Sequence, residues 1–123
     1  MELKIDQEKK IAYIKIIGPA SSKDILDAFD IAVSDKKYKK GMGRLWDFTD
    51  IDLSSLDSSV ISEMANYSLK FPPGIGDVKV AFVVTKTLEY GLTRMFQIHS
   101  SMDAKTKVEI FNTIDEAEKW IME

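Results

Sequence analysis

The chain has 123 residues with 17 basic and 20 acidic side chains, which gives a formal charge of −3. This length suits one domain, and we expect residues 1–123 to form it. Because the chain has no cysteine and one histidine, disulfides, thiolate catalysis and metal sites built on cysteine or paired imidazoles are excluded. The small negative charge supplies no broad positive field, so we expect no nucleic-acid binding.

The chain offers neither a membrane-spanning segment nor a secretion signal. No stretch approaches the ~20 uncharged residues of a transmembrane helix. The N-terminus, Met1 to Asp6, alternates charged and apolar side chains and lacks the uninterrupted apolar segment of a signal peptide. We therefore expect a cytoplasmic protein.

The first elements are a hairpin and a helix. Residues 3–5 and 11–17 are β-rich, and the polar residues 7–9 between them predict an antiparallel turn. Ser21 stands three residues before Asp24, a spacing typical of a capping box that begins a helix.

The rest of the chain alternates between strand and helix patterns. Strands are predicted at 44–48, 78–84 and 108–111, and helices are predicted after Ser54, Thr87 and Thr113. Ser54 with Asp57, and Thr113 with Glu116, repeat the capping-box spacing.

The order ββαβαβαβα predicts a single α/β domain. Its mixed, mostly parallel five-stranded sheet begins with an N-terminal β-hairpin and is covered by four helices.

Residues with catalytic or metal-binding chemistry are few. Asp47, Asp50 and Asp52 follow a strand and carry the oxygen ligands of a hard cation. Acidic residues ahead of a helix also favour its positive end, and we adopt that structural interpretation. His99 lies on an apolar stripe without an assigned base or acid partner, so we interpret it as a packing histidine. We expect no enzyme activity, no metal and no cofactor.

The segment Lys36 to Lys40 places Tyr38 among four lysines. An aromatic group between cations is typical of contacts with RNA or with anionic lipid headgroups. Lysines that end a helix also complement its negative end and keep a loop hydrated. We favour this second interpretation.

The third predicted helix carries more apolar side chains than one face can bury. Leu88, Leu92 and Phe96 share one stripe, yet Tyr90 and Ile98 add large groups elsewhere. We expect part of this surface to line a ligand cleft, with a well-packed helix or a homodimer contact as the alternative. The predicted ligand-binding residues are Tyr90, Leu92, Met95, Phe96 and His99 of the helix, with Phe71 and Ile75 of the connector before the preceding strand.

Several segments together carry a family resemblance. They are Gly18 before a capped helix, Tyr38 and Gly41 ahead of Leu45 to Phe48, the strand Val80 to Val83, the segment Tyr90 to Phe96, and the close from Phe111 to Trp120. In this order they resemble the small bacterial SpoIIAA-like proteins of the STAS superfamily. The resemblance implies a mixed sheet covered by helices and a non-enzymatic, regulatory binding role. This branch is also similar in fold to lipid-binding domains of the CRAL-TRIO (Sec14-like) type.

Two functions follow from this resemblance. The first is a binding module that takes a small hydrophobic ligand in the cleft beside the third helix, or that binds a membrane surface peripherally. The alternative is a protein-interaction regulator of the anti-sigma-factor-antagonist type, with a regulatory protein as its partner.

Such antagonists are switched by phosphorylation of a serine in an Asp-Ser-Ser-Gly segment. Here Asp57, Ser58 and Ser59 stand in a similar place, with Val60 instead of the glycine, so Ser58 and Ser59 are candidate phosphosites.

Overall fold

A computed structural model describes residues 1–67, 71, 74–75, 77–101 and 107–123 of the chain. The side chains at 58, 65 and 99–101 lie outside this description. None of the helices in the described ranges combines the length and apolar character needed to cross a bilayer.

In the described part of the chain, seven strands and four helices follow one another. In order they are β1 (Glu2–Asp6), β2 (Ile11–Lys15), β3 (Gly18–Pro19), α1 (Ser22–Ser34), β4 (Gly43–Asp47), β5 (Ile51–Asp52), α2 (Ser58–Tyr67), β6 (Lys79–Val83), α3 (Thr87–Ser101), β7 (Lys107–Phe111) and α4 (Ile114–Met122).

The main sheet has five strands in the order β1-β2-β4-β6-β7. β1 and β2 pair antiparallel as a hairpin, and the other three pairings are parallel. This confirms the predicted mixed sheet, its opening hairpin and its four helices. β3 and β5 add a short parallel pair that the sequence patterns do not predict. It places the segment after β2 beside the segment after β4.

Alternation along the strands divides the core between the two faces of the sheet. Ile14, Trp46 and Phe82 point to one face and pack with α1, α2 and α3. Leu45 and Ala81 point to the other face and pack with α4. Because three helices share one face, most of the apolar volume lies there.

Of the four predicted helix caps, those at Ser21 and Thr113 form, whereas Thr87, predicted to precede the third helix as its cap, is itself the first residue of α3. The Ser21 hydroxyl accepts a hydrogen bond from the Asp24 N–H (3.2 Å), and the Asp24 carboxylate accepts one from the Ser21 N–H (2.9 Å). The Thr113 hydroxyl caps α4 by accepting from the Glu116 N–H (3.2 Å). These contacts satisfy backbone donors that a helix start leaves free.

The predicted cap at Ser54 is wrong. The Leu56 N–H donates to the Leu53 carbonyl (3.0 Å), so this stretch forms a turn. The helix begins at Ser58, and the Asp57 carboxylate accepts the hydrogen bond of the Val60 N–H (3.1 Å). Asp57 is therefore the capping residue, three positions beyond the predicted one.

Candidate functional site

A cavity of about 60 Å³ lies between α1, α2, α3 and the sheet. Its lining is almost entirely apolar, with many aromatic rings. The lining residues are Ile25, Leu26 and Phe29 of α1, Arg44 and Trp46 of β4, Phe48, Leu53 and Leu56 of the segment before α2, Ile61, Met64 and Tyr67 of α2, Val80 and Phe82 of β6, and Leu92, Thr93 and Phe96 of α3.

Aromatic rings form the floor of this cavity on the sheet. The rings of Trp46 and Phe82 stack with centroids 6.1 Å apart, and Phe96 meets Phe82 edge-on at 5.4 Å. Phe48 packs against Phe82 at 5.3 Å. Such offset and edge-on pairs are favourable arrangements of aromatic rings, so they hold the cavity floor in a fixed shape.

Among the described residues that line the cavity, Arg44 is the charged one. Its side chain is 2% exposed, and its Nη1 donates to the Tyr38 hydroxyl (3.0 Å) and to the Ile75 carbonyl (2.7 Å). The guanidinium carbon lies 4.8 Å from the centroid of the Phe29 ring. Burial lowers the pKa of this guanidinium, and the hydrogen bond to Tyr38 opposes that change. An arginine nevertheless keeps its charge in proteins.

The other polar groups of the lining are engaged by the protein itself. The Thr93 hydroxyl donates to the Glu89 carbonyl (2.7 Å) within α3. The Tyr67 hydroxyl donates to the Asp30 carboxylate (2.8 Å), which ties α2 to α1. This hydrogen bond to a carboxylate raises the pKa of Tyr67 above its usual value.

The residues predicted on the third helix are distributed over several environments. Leu92 and Phe96 line the cavity. Met95 is partly buried and packs on the same core, outside the lining. Tyr90 is 49% exposed and does not reach the cavity. The side chain of His99 lies outside the described part of the structure, as does Met102.

Phe71 and Ile75 of the connector before β6 contact residues that line the cavity, but neither is itself part of the lining. The Phe71 ring meets Phe29 edge-on at 5.0 Å and Tyr67 at 5.6 Å, and both of these residues line the cavity. Ile75 packs on the core, and its carbonyl accepts the hydrogen bond from Arg44. Pro72, Pro73 and Gly76 lie outside the described residues. The walls facing α3 come from α1, α2 and the sheet.

Most lining residues, from α1, α2 and the sheet, are absent from the sequence prediction. One signal could have found the most informative of them. Arg44 shares the alternation of Trp46 within β4, and Trp46 faces the core. A charged side chain at an inward position of a buried strand is atypical, because such residues are rarely buried without a partner. Arg44 is therefore a candidate functional residue.

Protein groups contact the acidic residues at the end of β4 and just after it. The Lys15 ammonium lies 3.8 Å from the carboxylates of both Asp47 and Asp50. Asp47 also accepts hydrogen bonds from the N–H and hydroxyl of Thr49. Within the described ranges, no three His, Cys, Asp or Glu residues come together in a way that could hold a metal ion.

Tyr38 is a core residue in spite of its four lysine neighbours. Its ring is buried with Ala12 and Met42, and its hydroxyl donates to the Met42 carbonyl (3.2 Å) while accepting from Arg44. The ring is therefore not presented to an RNA base or a lipid headgroup.

The candidate phosphosites lie at the beginning of α2. Ser59 is exposed, and its hydroxyl donates to the Asp57 carboxylate (2.7 Å). This bond, together with the one from Val60, lowers the pKa of Asp57. The side chain of Ser58 lies outside the described structure. Phosphorylation of either serine stays a prediction.

No family model matches the chain, and no curated protein sequence matches it significantly. Among solved structures, it is similar to an uncharacterised protein of the DUF3478 family from Shewanella loihica PV-4, which has a SpoIIAA-like fold. The TM-score is 0.60 at 16% sequence identity, and the match covers 98% of this chain and 90% of the other. At this identity the likeness shows the fold alone. The chain has a SpoIIAA-like fold, the fold of the STAS superfamily.

Proposed function

We propose that the chain is a non-enzymatic binding module that takes a small hydrophobic ligand in the cavity between α1, α2, α3 and the sheet. One observation carries this proposal, namely the cavity of about 60 Å³ inside an aromatic-rich core. Protein cores contain few voids larger than a water molecule, and holding one water takes only about 10–15 Å³. This cavity is several times larger than that.

The energetics of an empty cavity favour an occupant. An unfilled space of this size costs the fold the dispersion contacts that its apolar walls would otherwise make. Ordered water needs two to four polar partners, and apolar walls supply too few of them. An apolar ligand would restore the missing dispersion contacts and offset this cost.

The size of the cavity limits the ligand. Pockets for drug-sized molecules measure about 300–1,000 Å³, well above the volume found here. The ligand class that fits is therefore a short aliphatic chain or a single small ring. A longer chain would need α2 or α3 to move.

The chemistry of the lining supports binding over catalysis. The hydroxyls of Thr93 and Tyr67 donate to protein acceptors, and Arg44 is a cation without basic character. A general base or an activated nucleophile needs a partner that withdraws or receives its proton. The lining supplies orientation and apolar contact instead.

Binding of n-hexanol, measured by calorimetric titration, tests this proposal. In Leu92→Phe the larger side chain occupies part of the cavity, so we expect hexanol affinity to fall about tenfold or more, a change of about 1.4 kcal/mol. Leu88→Phe is the matched control, because Leu88 lies one turn earlier in α3 and is 51% exposed. It should bind hexanol like the wild type.

Equal hexanol binding by the wild type and by folded Leu92→Phe would contradict the proposal. Absence of saturable binding by the wild type would also contradict it. Leu56→Phe provides a second filled cavity on a different wall, which separates blocking of the cavity from a local effect on α3.

A further inference from the structure

The charge of Arg44 is not balanced by the described protein groups. Its side chain is buried and lines the cavity. The ion pairs among the described residues involve Lys9, Lys15 and Lys23, and none includes Arg44. A buried charge without a counter-charge is strongly unfavourable in a protein interior.

The hydrogen bonds of Arg44 leave one edge of its guanidinium without a described partner. Nη1 makes both described bonds, to the Tyr38 hydroxyl and the Ile75 carbonyl, and both acceptors are neutral. The buried Nε N–H has no partner among the described residues. Nε and the second terminal nitrogen, Nη2, form the edge that binds a carboxylate through two parallel hydrogen bonds.

The contacts that Arg44 does make fix the orientation of its guanidinium. Nη1 is held by Tyr38 and Ile75, and the Phe29 ring lies 4.8 Å from the guanidinium carbon. These neighbours pre-position the group without neutralising it. A group that is rigid, charged and incompletely bonded beside an apolar cavity is suited to an anion that arrives with an apolar body.

We propose that the ligand is a small amphipathic carboxylate, with its apolar part in the cavity and its headgroup on the Nε edge of Arg44. This inference rests on the proposed function. A carboxylate matches this site better than a phosphate monoester. One guanidinium balances a single negative charge, whereas a phosphate carries about −1.5 to −2 and three acceptor oxygens. The small cavity also favours the smaller headgroup.

The test compares hexanoate with hexanamide, its neutral isostere, by calorimetric titration at pH 7. A hexanoate carboxyl resembles that of glutamate, with a pKa of about 4.3, and is ionised at this pH. Because charge-assisted hydrogen bonds are about twice as strong as neutral ones, we expect hexanoate to bind the wild type about tenfold tighter or more. In Arg44→Met the preference should disappear while hexanamide still binds.

Arg94→Met is the matched control, because Arg94 is an exposed arginine of α3 and its Nη1 donates to Gln97. It should keep the full preference for hexanoate. Equal or tighter binding of hexanamide by the wild type overturns the carboxylate assignment and leaves the proposed hydrophobic site intact. If neither compound binds and n-hexanol also fails to bind, the proposed function itself falls. Should Arg44→Met not fold, the wild-type comparison decides alone.

Discussion

Gly43 determines how closely α4 approaches the sheet. A Cβ atom at this position would lie 2.5 Å from the Ile121 Cγ2 of α4 and 3.3 Å from the Lys79 carbonyl oxygen. The first contact is shorter than packed atoms tolerate, and the branched Ile121 side chain has little freedom to move. The last turn of α4 therefore rests directly on the backbone of β4.

We predict that Gly43→Ala lowers the free energy of unfolding by about 1–3 kcal/mol, the usual range for overpacking. Urea denaturation followed by circular dichroism measures this change. Gly91→Ala is the control, because a Cβ there meets nothing within 4 Å and alanine favours a helix by up to about 1 kcal/mol. It should be stabilising. If Gly43→Ala is as stable as the wild type, the close packing of α4 is refuted.

Individual residues show where sequence patterns stop being informative. Tyr38 stands alone between lysines, so no apolar periodicity indicates that it is buried. Its burial depends on the turns that follow α1, where the Tyr38 N–H donates to the Asp35 carbonyl and the Met42 N–H to the Lys39 carbonyl. Arg44 is buried in turn because Tyr38 and the carbonyl of Ile75 offer it acceptors. Tyr38 also packs with Ala12, and Arg44 bonds Ile75 31 positions away, so no local pattern shows that either side chain is buried.

The helix caps illustrate the same limit for whole elements. The Ser21 and Thr113 patterns form the predicted caps because they need only local contacts. Ser54 and Asp57 both fit the beginning of α2, and propensity alone does not choose between them. The structure uses Asp57, while Leu53 and Leu56 in the preceding turn contribute to the cavity lining.

The rotation of α3 about its axis was also only partly predictable. An apolar stripe that includes Leu88 is predicted, but Leu88 is exposed and the neighbouring Glu89 is buried. The Glu89 carboxylate accepts a hydrogen bond from the Leu53 N–H (3.0 Å). This bond satisfies a buried backbone donor and turns the first part of α3 away from the orientation that hydrophobicity alone would give.

The cap of α1 predicts a pH dependence. The backbone and side chain of Ser21 donate to Asp24 and lower its pKa below the unfolded value of about 3.9. The ionised form is thus favoured by folding, and its contribution is fully present above that unfolded value. It is lost as the pH falls through the lower, folded pKa.

We therefore expect the melting temperature of the wild type to fall more steeply below about pH 4 than that of Asp24→Asn. The asparagine keeps an acceptor oxygen but does not titrate. Thermal melts by circular dichroism between about pH 6 and pH 2.5 give both slopes. Parallel slopes for the two proteins would show that the capping carboxylate does not contribute to acid sensitivity.

The arrangement of the whole molecule explains why a cavity forms at this place. From β2 onward each parallel strand lies beside the one before it, in the order β2-β4-β6-β7. Right-handed crossovers that all advance in one direction place their helices on one face of the sheet. α1, α2 and α3 therefore share a face, and α4, which follows the last strand, covers the other.

The sequence predicts the elements of this arrangement but not the order of the strands. Strand pairing joins residues far apart in the chain, as for Leu45 with Ala81 and Phe82 with Ile110. No local pattern encodes these partners. Without the strand order, the helices that share a face with α3 could not be identified, and α1 and α2 were consequently absent from the predicted cleft.

The most direct test of ligand binding in this cavity is a methyl-detected NMR titration of the wild-type chain with n-hexanol. We predict saturable shifts for the methyl groups of Leu53, Leu56 and Leu92, which line the cavity from two sides. The methyl groups of the exposed Leu88 and of Ile114, which packs on the opposite face, should not shift. Shifts confined to Leu88, or shifts that grow linearly without saturation, would contradict ligand binding in the cavity.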